Sequence, residues 1–145
     1  MSEVGVVTGF AQGTANRWSG AAYDGRPGTA SAARRFADGF LARAQTAHGV
    51  PVTGALSDTV LLVVSELVTN AAKYAPGPCL LDLELTADDI TVTVWDTNAT
   101  LPSARPADPG RIGQHGLEIV LALCRRFDVE RHAGGKSIRA HLPLS

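Results

Sequence analysis

The sequence predicts a two-layer α/β sandwich in which helices cover one face of a mixed, mostly antiparallel sheet. Three observations predict this class. Long segments repeat apolar residues at helical spacing, shorter paired segments alternate apolar and polar residues as hairpins do, and turns rich in Gly and Pro separate them. Helices grouped beside a largely antiparallel sheet form a two-layer architecture.

The composition indicates a single globular domain of ordinary size. The chain has 145 residues, of which 45% are hydrophobic and 19% are charged. Its formal net charge of -1 lacks the electrostatic footprint of a general nucleic-acid binder. The longest apolar stretch, Val60 to Val64, is far shorter than the roughly 20 residues of a membrane span. We therefore expect a cytoplasmic protein with no direct nucleic-acid partner and no membrane partner.

The N-terminal part of the chain combines an irregular segment with a strand and a helix. Residues 1–14 lack a clear period and predict a flexible arm, which leaves residues 15–145 as the domain. A short strand is predicted over 17–23. Apolar residues at helical spacing then predict a helix over 33–44. Either of two hydroxyl residues, Thr29 or Ser31, is expected to cap this helix.

The next segment predicts a buried central helix. It begins near Ser57 or Asp58, residue types that cap helices, and continues to Tyr74, where a Pro-Gly-Pro run forbids continuation. The middle of this segment is apolar nearly all round, which is typical of a helix buried on all sides.

The C-terminal half predicts two hairpins on either side of a loop and a helix. Strands are predicted over 81–85 and 90–94, and again over 127–132 and 137–142. Residues 98–113 hold several Pro and Gly residues without a period, and so long a loop is usually functional or mobile. We interpret residues 98–113 as a candidate lid. A helix over 117–126 follows it, with arginines expected at its C-terminal end. Two well-separated cysteines, at positions 79 and 124, predict buried, reduced thiols.

Polar residues recur at helical spacing along the predicted buried helix. Glu66, Asn70 and Lys73 or Tyr74 fall on one face. A carboxylate can take a proton from an attacking hydroxyl, and an amide oxygen one turn away can bind a hard cation, which together suit phosphoryl transfer. Taken alone, the same stripe is equally compatible with a helix face that meets water.

Two further positions point to a nucleotide. Asp96 ends a predicted strand, where its carboxylate could accept from the exocyclic amine of a purine, although Asp is also common in ordinary turns. The glycines Gly113 and Gly116 precede or open a helix whose N-terminal amides could approach phosphate. Such glycines serve simple turns more often than nucleotides. His115, between them, could contact phosphate or lie at the surface.

In this order, the motifs resemble those of the GHKL ATPase family, which has the Bergerat fold, and specifically its anti-sigma-factor serine kinase branch. The resemblance extends over roughly residues 17–144. It implies that ATP and Mg²⁺ are bound, with Glu66 as the general base and Asn70 as the Mg²⁺ ligand. It also implies that Asp96 reads the adenine amine, supported by the Ser137 hydroxyl. The remaining positions assigned to the nucleotide by this resemblance are Lys73, Tyr74, Gly113, His115, Gly116 and Leu117.

The resemblance implies a protein serine/threonine kinase in a partner-switching pathway of transcription control. Its substrate would be a small antagonist protein of the anti-anti-sigma type. A sigma factor would be a second partner, and a homodimer is compatible with the branch. The family commonly has glycines after the adenine-reading Asp, whereas this chain has Thr97, Asn98 and Ala99. This departure motivates an alternative, a regulator that sequesters a sigma factor and binds nucleotide weakly or not at all.

Overall fold

The protein, represented by a computed structural model, is described over residues 4–8, 17–74, 77–97 and 114–144. In these ranges the chain forms six strands and three helices, as the sequence class predicts. The elements are β1 (Val4–Thr8), β2 (Trp18–Tyr23), α1 (Thr29–His48), α2 (Gly54–Tyr74), β3 (Cys79–Leu85), β4 (Asp89–Asp96), α3 (Gln114–Leu123), β5 (Arg126–His132) and β6 (Gly135–Pro143).

The six strands form one sheet in the order β1-β2-β3-β4-β6-β5. Every pairing in the described ranges is antiparallel, so the sheet is not mixed as the sequence analysis allowed. The last strand, β6, lies between β4 and β5, and it pairs with β4 along its whole length, from Asp89 opposite Pro143 to Asp96 opposite Lys136. This register decides which residues of the two strands share a face.

The core lies between one face of the sheet and the helices. On α2, Val60, Val63, Val64 and Leu67 are fully buried, and the helix packs against α1, α3 and three central strands. By length and composition the segment Gly54–Lys73 could also cross a membrane. Its burial between α1 and the sheet is instead that of a core helix in a soluble protein, as its apolar composition predicts. The sheet contributes alternate residues to the same core: Leu81, Leu83 and Leu85 from β3, Ile90, Val92 and Val94 from β4, and Ile138, Ala140 and Leu142 from β6.

Both long helices begin earlier than predicted and use other caps. The N-cap of α1 is Gly28, with a φ of 95°, and it makes no side-chain cap hydrogen bond. The Thr29 hydroxyl donates instead to the carbonyl of Arg26 at 2.6 Å, so neither Thr29 nor Ser31 is the cap. At the start of α2 the Thr53 hydroxyl accepts from the amide of Leu56 at 3.1 Å, which is an N-cap contact four residues upstream of Ser57, the earlier predicted start.

Two further predictions about local structure are wrong. Residues Val4–Thr8, predicted to be part of an irregular arm, form the edge strand β1 on β2. Its β-branched residues favour a strand, but one glycine hides the alternation. The third helix ends at Leu123 and not at residue 126. The chain leaves it because the Arg125 amide donates to the His141 carbonyl at 2.8 Å, which starts the pairing of β5 with β6.

The substitution Gly135→Ala should destabilise the fold by about 2 kcal/mol or more, because overpacking forces backbone shifts of that cost. A Cβ at this position would overlap the backbone carbonyl oxygen of Asp96, which cannot move without disturbing β4. The matched control is Gly39→Ala in α1, where the new Cβ would meet only the flexible end of Arg43. This control should gain about 0.5–1 kcal/mol from helix propensity. Urea unfolding of both variants measures the difference, and equal stabilities would contradict the close approach of β6 to Asp96.

Candidate functional site

Several chain turns meet at the end of the sheet where β4 finishes, which we call the Asp96 end. A Cβ at Gly25 would lie 2.6 Å from the carbonyl oxygen of Gly77, and one at Gly77 would lie 3.7 Å from the hydroxyl of Thr97. Gly135 is pressed against Asp96 from the other side. The turn after β2, the start of β3, the end of β4 and the start of β6 are therefore all neighbours here.

The C-terminal half of α2 reaches the same end. The helix finishes at Tyr74, only three residues before Gly77, so its last turns lie beside the Asp96 end. Glu66 and Asn70 are one helical turn apart there, and both are half-buried, whereas Lys73 is exposed. The structure thus supplies a carboxylate and an amide oxygen on one partly sheltered face of the core helix.

The central feature of the Asp96 end is a buried ion pair. The Lys136 ammonium lies 2.8 Å from Oδ2 of Asp96, and the two side chains are only 6% and 1% exposed, respectively. The two residues are directly opposite in the β4–β6 register and share the face that the helices cover. A buried carboxylate without a counter-charge is strongly unfavourable, and the Lys136 ammonium supplies the counter-charge of Asp96.

Sequence reasoning missed Lys136, although the strand pattern contains the signal. It occupies the position two residues before Ile138 and so belongs to the alternation of inward residues that continues through Ala140 and Leu142. A lysine on the inward side of a strand requires a partner, and the register supplies Asp96.

The structure does not bring Ser137 to Asp96, so the predicted support of Asp96 by this hydroxyl is corrected. Ser137 lies opposite Trp95 in the register, and adjacent strand residues point to opposite faces of the sheet. Its hydroxyl is instead 2.8 Å from Nε2 of His132, whose ring stacks on Trp95 with the ring centroids 4.9 Å apart. Ser137 belongs to the face of the sheet away from the helices.

Two uncharged side chains, Cys79 on β3 and Tyr23 on β2, lie in line with Asp96 on the inward face of the sheet. Burial, followed by the negative charge of Asp96, raises the pKa of the Cys79 thiol to about 11. Tyr23 is opposite Cys79 in the β2–β3 register, and burial raises the pKa of its phenol to about 12. Within the described structure the buried Tyr23 hydroxyl has no hydrogen-bond partner. Both cysteines are free, as the sequence predicts, but only Cys79 is buried and Cys124 is half-buried.

A cavity of about 260 Å³ also opens near this end, between the turn after β2 and α2. Its lining includes residues 25–30 together with Val68, Thr69 and Ala72. Ligand sites for small molecules usually have about 300–1,000 Å³. Neither Glu66, Asn70 nor Asp96 lines this cavity, so it is not the site that the motifs predict.

The remaining predicted residues lie at or beyond the start of α3. Leu117 is buried in the first turns of this helix. His115 and Gly116 belong to its first turn, but their side-chain surroundings, like those of Tyr74, lie outside what the structure describes. Gly113 and the candidate lid, residues 98–113, fall outside the described residues.

The donor set fits a Mg²⁺ ion that is carried by a nucleotide. In the described ranges no three His, Cys, Asp or Glu side chains form a metal-binding group. Mg²⁺ in nucleotide sites is held by one or two protein oxygens, by phosphates and by water. The half-buried Asn70 amide, one turn from the Glu66 carboxylate, can supply such an oxygen.

We expect Lys136→Met to destabilise the protein by about 3–5 kcal/mol, because it leaves the buried carboxylate of Asp96 without its counter-charge. The double variant Asp96→Asn/Lys136→Met should recover most of this loss. As a matched control, Arg126→Met removes a cation from a surface pair whose members are 69% and 37% exposed. That control should cost under about 1 kcal/mol. Equilibrium urea unfolding measures all three, and a similar cost for the two single variants would argue against a buried pair.

Alkaline pH should weaken the fold through both thiols, because burial raises the pKa of Cys79 and of Cys124 alike to about 11, and the contribution of Cys79 can be isolated by substitution. The pKa of Cys79 is about 11 in the folded protein against the ordinary value of 9.0. Below pH 9 the thiol is protonated in both states, so the stability is fully present. Between pH 9 and 11 only the unfolded state releases the proton, so the free energy of unfolding falls as the pH rises. Urea midpoints from pH 8 to 11 test this, and Cys79→Ala should decline less steeply. An identical pH dependence in the variant would refute the assignment.

Comparisons with known proteins identify the family of this chain. The model of the family described as histidine kinase-like ATPase domain matches residues 24–142. A similar solved structure is the histidine kinase domain of the blue-light activated histidine kinase from Erythrobacter litoralis EL346. It has a TM-score of 0.44 and 24% identity, and the match covers 61% of this chain and 44% of that one. The chain thus spans less than half of that structure.

No curated protein matches the chain. The family match, however, extends over most of the sequence and includes α1, α2 and strands β3 to β6. The protein therefore belongs to the histidine kinase-like ATPase domain family, of the GHKL type, and its domain is an ATP-binding domain of the kinase or ATPase kind.

Proposed function

We propose that this protein is a cytoplasmic, Mg²⁺-dependent protein serine/threonine kinase in a partner-switching pathway of transcription control. Two observations support the proposal: Glu66 and Asn70 lie one turn apart and half-buried on α2, and Asp96 is buried at the end of β4. Phosphoryl transfer from a nucleotide needs a general base for the attacking hydroxyl, a ligand for the cation and a group that binds the nucleobase, all held in fixed positions.

Each proposed role follows from the chemistry of the side chain. Asp96 accepts a hydrogen bond from the nucleobase, and the Asn70 oxygen holds the cation. The Glu66 carboxylate takes the proton of a substrate hydroxyl as that oxygen bonds to the terminal phosphorus and the bond to the nucleoside diphosphate breaks. When bound, Mg²⁺ neutralises charge on the phosphates.

The other predicted residues would surround the phosphates. The first-turn amides of α3, at His115, Gly116 and Leu117, lack helical partners and so can donate to an anion, and the preceding Gly113 would leave room for it. Lys73 and Tyr74, in the last turn of α2, are the other residues proposed to contact the phosphates.

The proposed substrate is a Ser or Thr of a small antagonist protein of the anti-anti-sigma type, with a sigma factor as a second partner and a homodimer as the working assembly. The order of the motifs along the chain, from Glu66 and Asn70 through Asp96 to Gly116, supports this branch of the family. We propose no direct nucleic-acid or membrane partner, consistent with the net charge of -1.

A second candidate function is a regulator that sequesters a sigma factor without catalysis. Two observations favour it. The carboxylate of Asp96 is already engaged by Lys136, and Thr97 follows it where the family commonly has glycine. Saturable binding of Mg²⁺ and ATP separates the two functions, because the regulator does not require it.

Replacement of Glu66 by Gln should lower phosphate transfer to a cognate antagonist by about 10²–10⁴-fold, which is the usual contribution of a general base. Binding of labelled ATP should remain near the wild-type value, because the substitution removes only the proton acceptor. Asn70→Ala should instead weaken the Mg²⁺-dependent part of ATP binding.

The matched control is Glu84→Gln, an exposed glutamate of β3, which should leave both activities unchanged. Transfer of ³²P from γ-labelled ATP and equilibrium dialysis provide the measurements. Wild-type transfer by Glu66→Gln would exclude the proposed base, and no saturable ATP binding by the wild type would leave the sequestering regulator.

A further inference from the structure

We propose that Lys136 gives the site a second base-reading group, so that the domain binds guanine nucleotides in addition to ATP. The inference rests on the proposed function, because it takes Asp96 as the residue that faces the nucleobase. It goes beyond that function by assigning a specificity-determining role to a lysine, and a 6-oxopurine to the substrate class.

The position of Lys136 is fixed by the sheet. It lies directly opposite Asp96 in the β4–β6 register, on the inward face. Its ammonium is 2.8 Å from Oδ2 of Asp96, and 6% of its side chain is exposed. The preceding Gly135 allows this approach, since a Cβ there would overlap the Asp96 carbonyl. Any group that reaches the Asp96 carboxylate therefore comes next to the ammonium as well.

The charges around the pair come from few sources among the described inward residues. Cys79 and Tyr23 continue the row on one side, and both stay protonated at physiological pH because burial raises the pKa of each group. On the other side Arg131 is opposite Lys136 in the β5–β6 register, but it is exposed. Among the charged side chains, the buried pair thus offers one carboxylate that accepts and one ammonium that donates.

The two purines differ in what they present at position 6. Adenine carries the N6 amine, a donor, whereas guanine carries the O6 oxygen, an acceptor. Next to these groups, N1 of adenine accepts and the N1–H of guanine donates. A carboxylate alone accepts from adenine but faces the O6 oxygen of guanine with a second acceptor. Sites that mismatch a buried polar group in this way discriminate by about 10⁴–10⁵-fold.

A carboxylate beside an ammonium can form hydrogen bonds with the edge of adenine and with the edge of guanine. For adenine, the N6 amine donates to Asp96 and the ammonium donates to N7. Guanine meets the same two groups in the same order when its edge is shifted by one position. For guanine, the ammonium donates to O6 and the N1–H donates to Asp96. Because both ionised groups are buried, each of these contacts is of the charge-assisted kind, which is stronger than a neutral hydrogen bond.

The test compares ATP, GTP and ITP as ligands of the full chain by isothermal titration calorimetry with Mg²⁺. ITP has the 6-oxo group without the 2-amine of guanine, so it isolates the contact at position 6. We expect the dissociation constants for GTP and ITP to lie within about tenfold of that for ATP, since tenfold corresponds to less than one charged hydrogen bond. If GTP binds more than about tenfold weaker than ATP, the inference is wrong while ATP binding stands. If no nucleotide binds, the proposed function fails as well.

Variants at Lys136 test whether its ammonium is responsible for the binding of GTP and ITP. Lys136→Thr retains a hydroxyl that can donate to Asp96 but is too short to reach the base. It should weaken GTP and ITP at least about tenfold more than ATP, the loss expected for a charged hydrogen bond. Lys136→Arg, which keeps a cationic donor, should retain GTP binding.

The matched control, Arg131→Met, removes a neighbouring cation and should change the ATP and GTP constants equally, if at all. Equal losses of ATP and GTP in Lys136→Thr would overturn the inference. Circular dichroism establishes that each variant is folded, and the wild-type comparison decides the inference even if Lys136→Thr does not fold.

Discussion

The buried pair of Asp96 and Lys136 is the constraint on which the rest of this end of the molecule depends. The Asp96 side chain is 1% exposed, and burial of a carboxylate is costly without a counter-charge, which the Lys136 ammonium 2.8 Å away supplies. That contact exists only in the observed β4–β6 register. A slip by one residue would turn Lys136 to the outer face and expose the apolar residues of β6 with it. The core and the base-reading group are therefore specified by the same alignment of strands.

The core helix α2 likewise contributes both to the core and to the placement of proposed site residues. Its fully buried valines and Leu67 hold the helix against the sheet and α1, which fixes its rotation about its own axis. With that rotation fixed, Glu66 and Asn70 occupy the partly open side, next to the chain turn that closes the Asp96 end. The proposed catalytic groups are thus carried by a helix that packs into the core, which suits groups that must be held in a defined geometry.

Much of the fold could be predicted from the sequence because periodicity records which residues face the core. The apolar stripe of α1 and the continuous apolar middle of α2 both correspond to buried residues. Predictions failed where long-range contacts decide the local structure. The strand β1 forms because β2 offers it an edge, and α3 ends early because β5 must begin pairing with β6.

The candidate site was predictable to the extent that local spacing defines it. Helical spacing alone places Glu66 and Asn70 one turn apart. The partner of Asp96 could not be chosen in this way, since Lys136 and Ser137 are neighbours in sequence and only the register decides which one faces inward. Ser137 turned out to contact His132 on the outer face.

The central claim is that the Asp96 carboxylate at the end of this sheet reads the purine at position 6. It is tested most directly by comparing the binding of ATP with that of purine riboside triphosphate, which lacks any substituent at position 6. We expect the analogue to bind at least about tenfold weaker, because the buried carboxylate then loses a charge-assisted hydrogen bond. Equal affinities for the two ligands would contradict this account of the site.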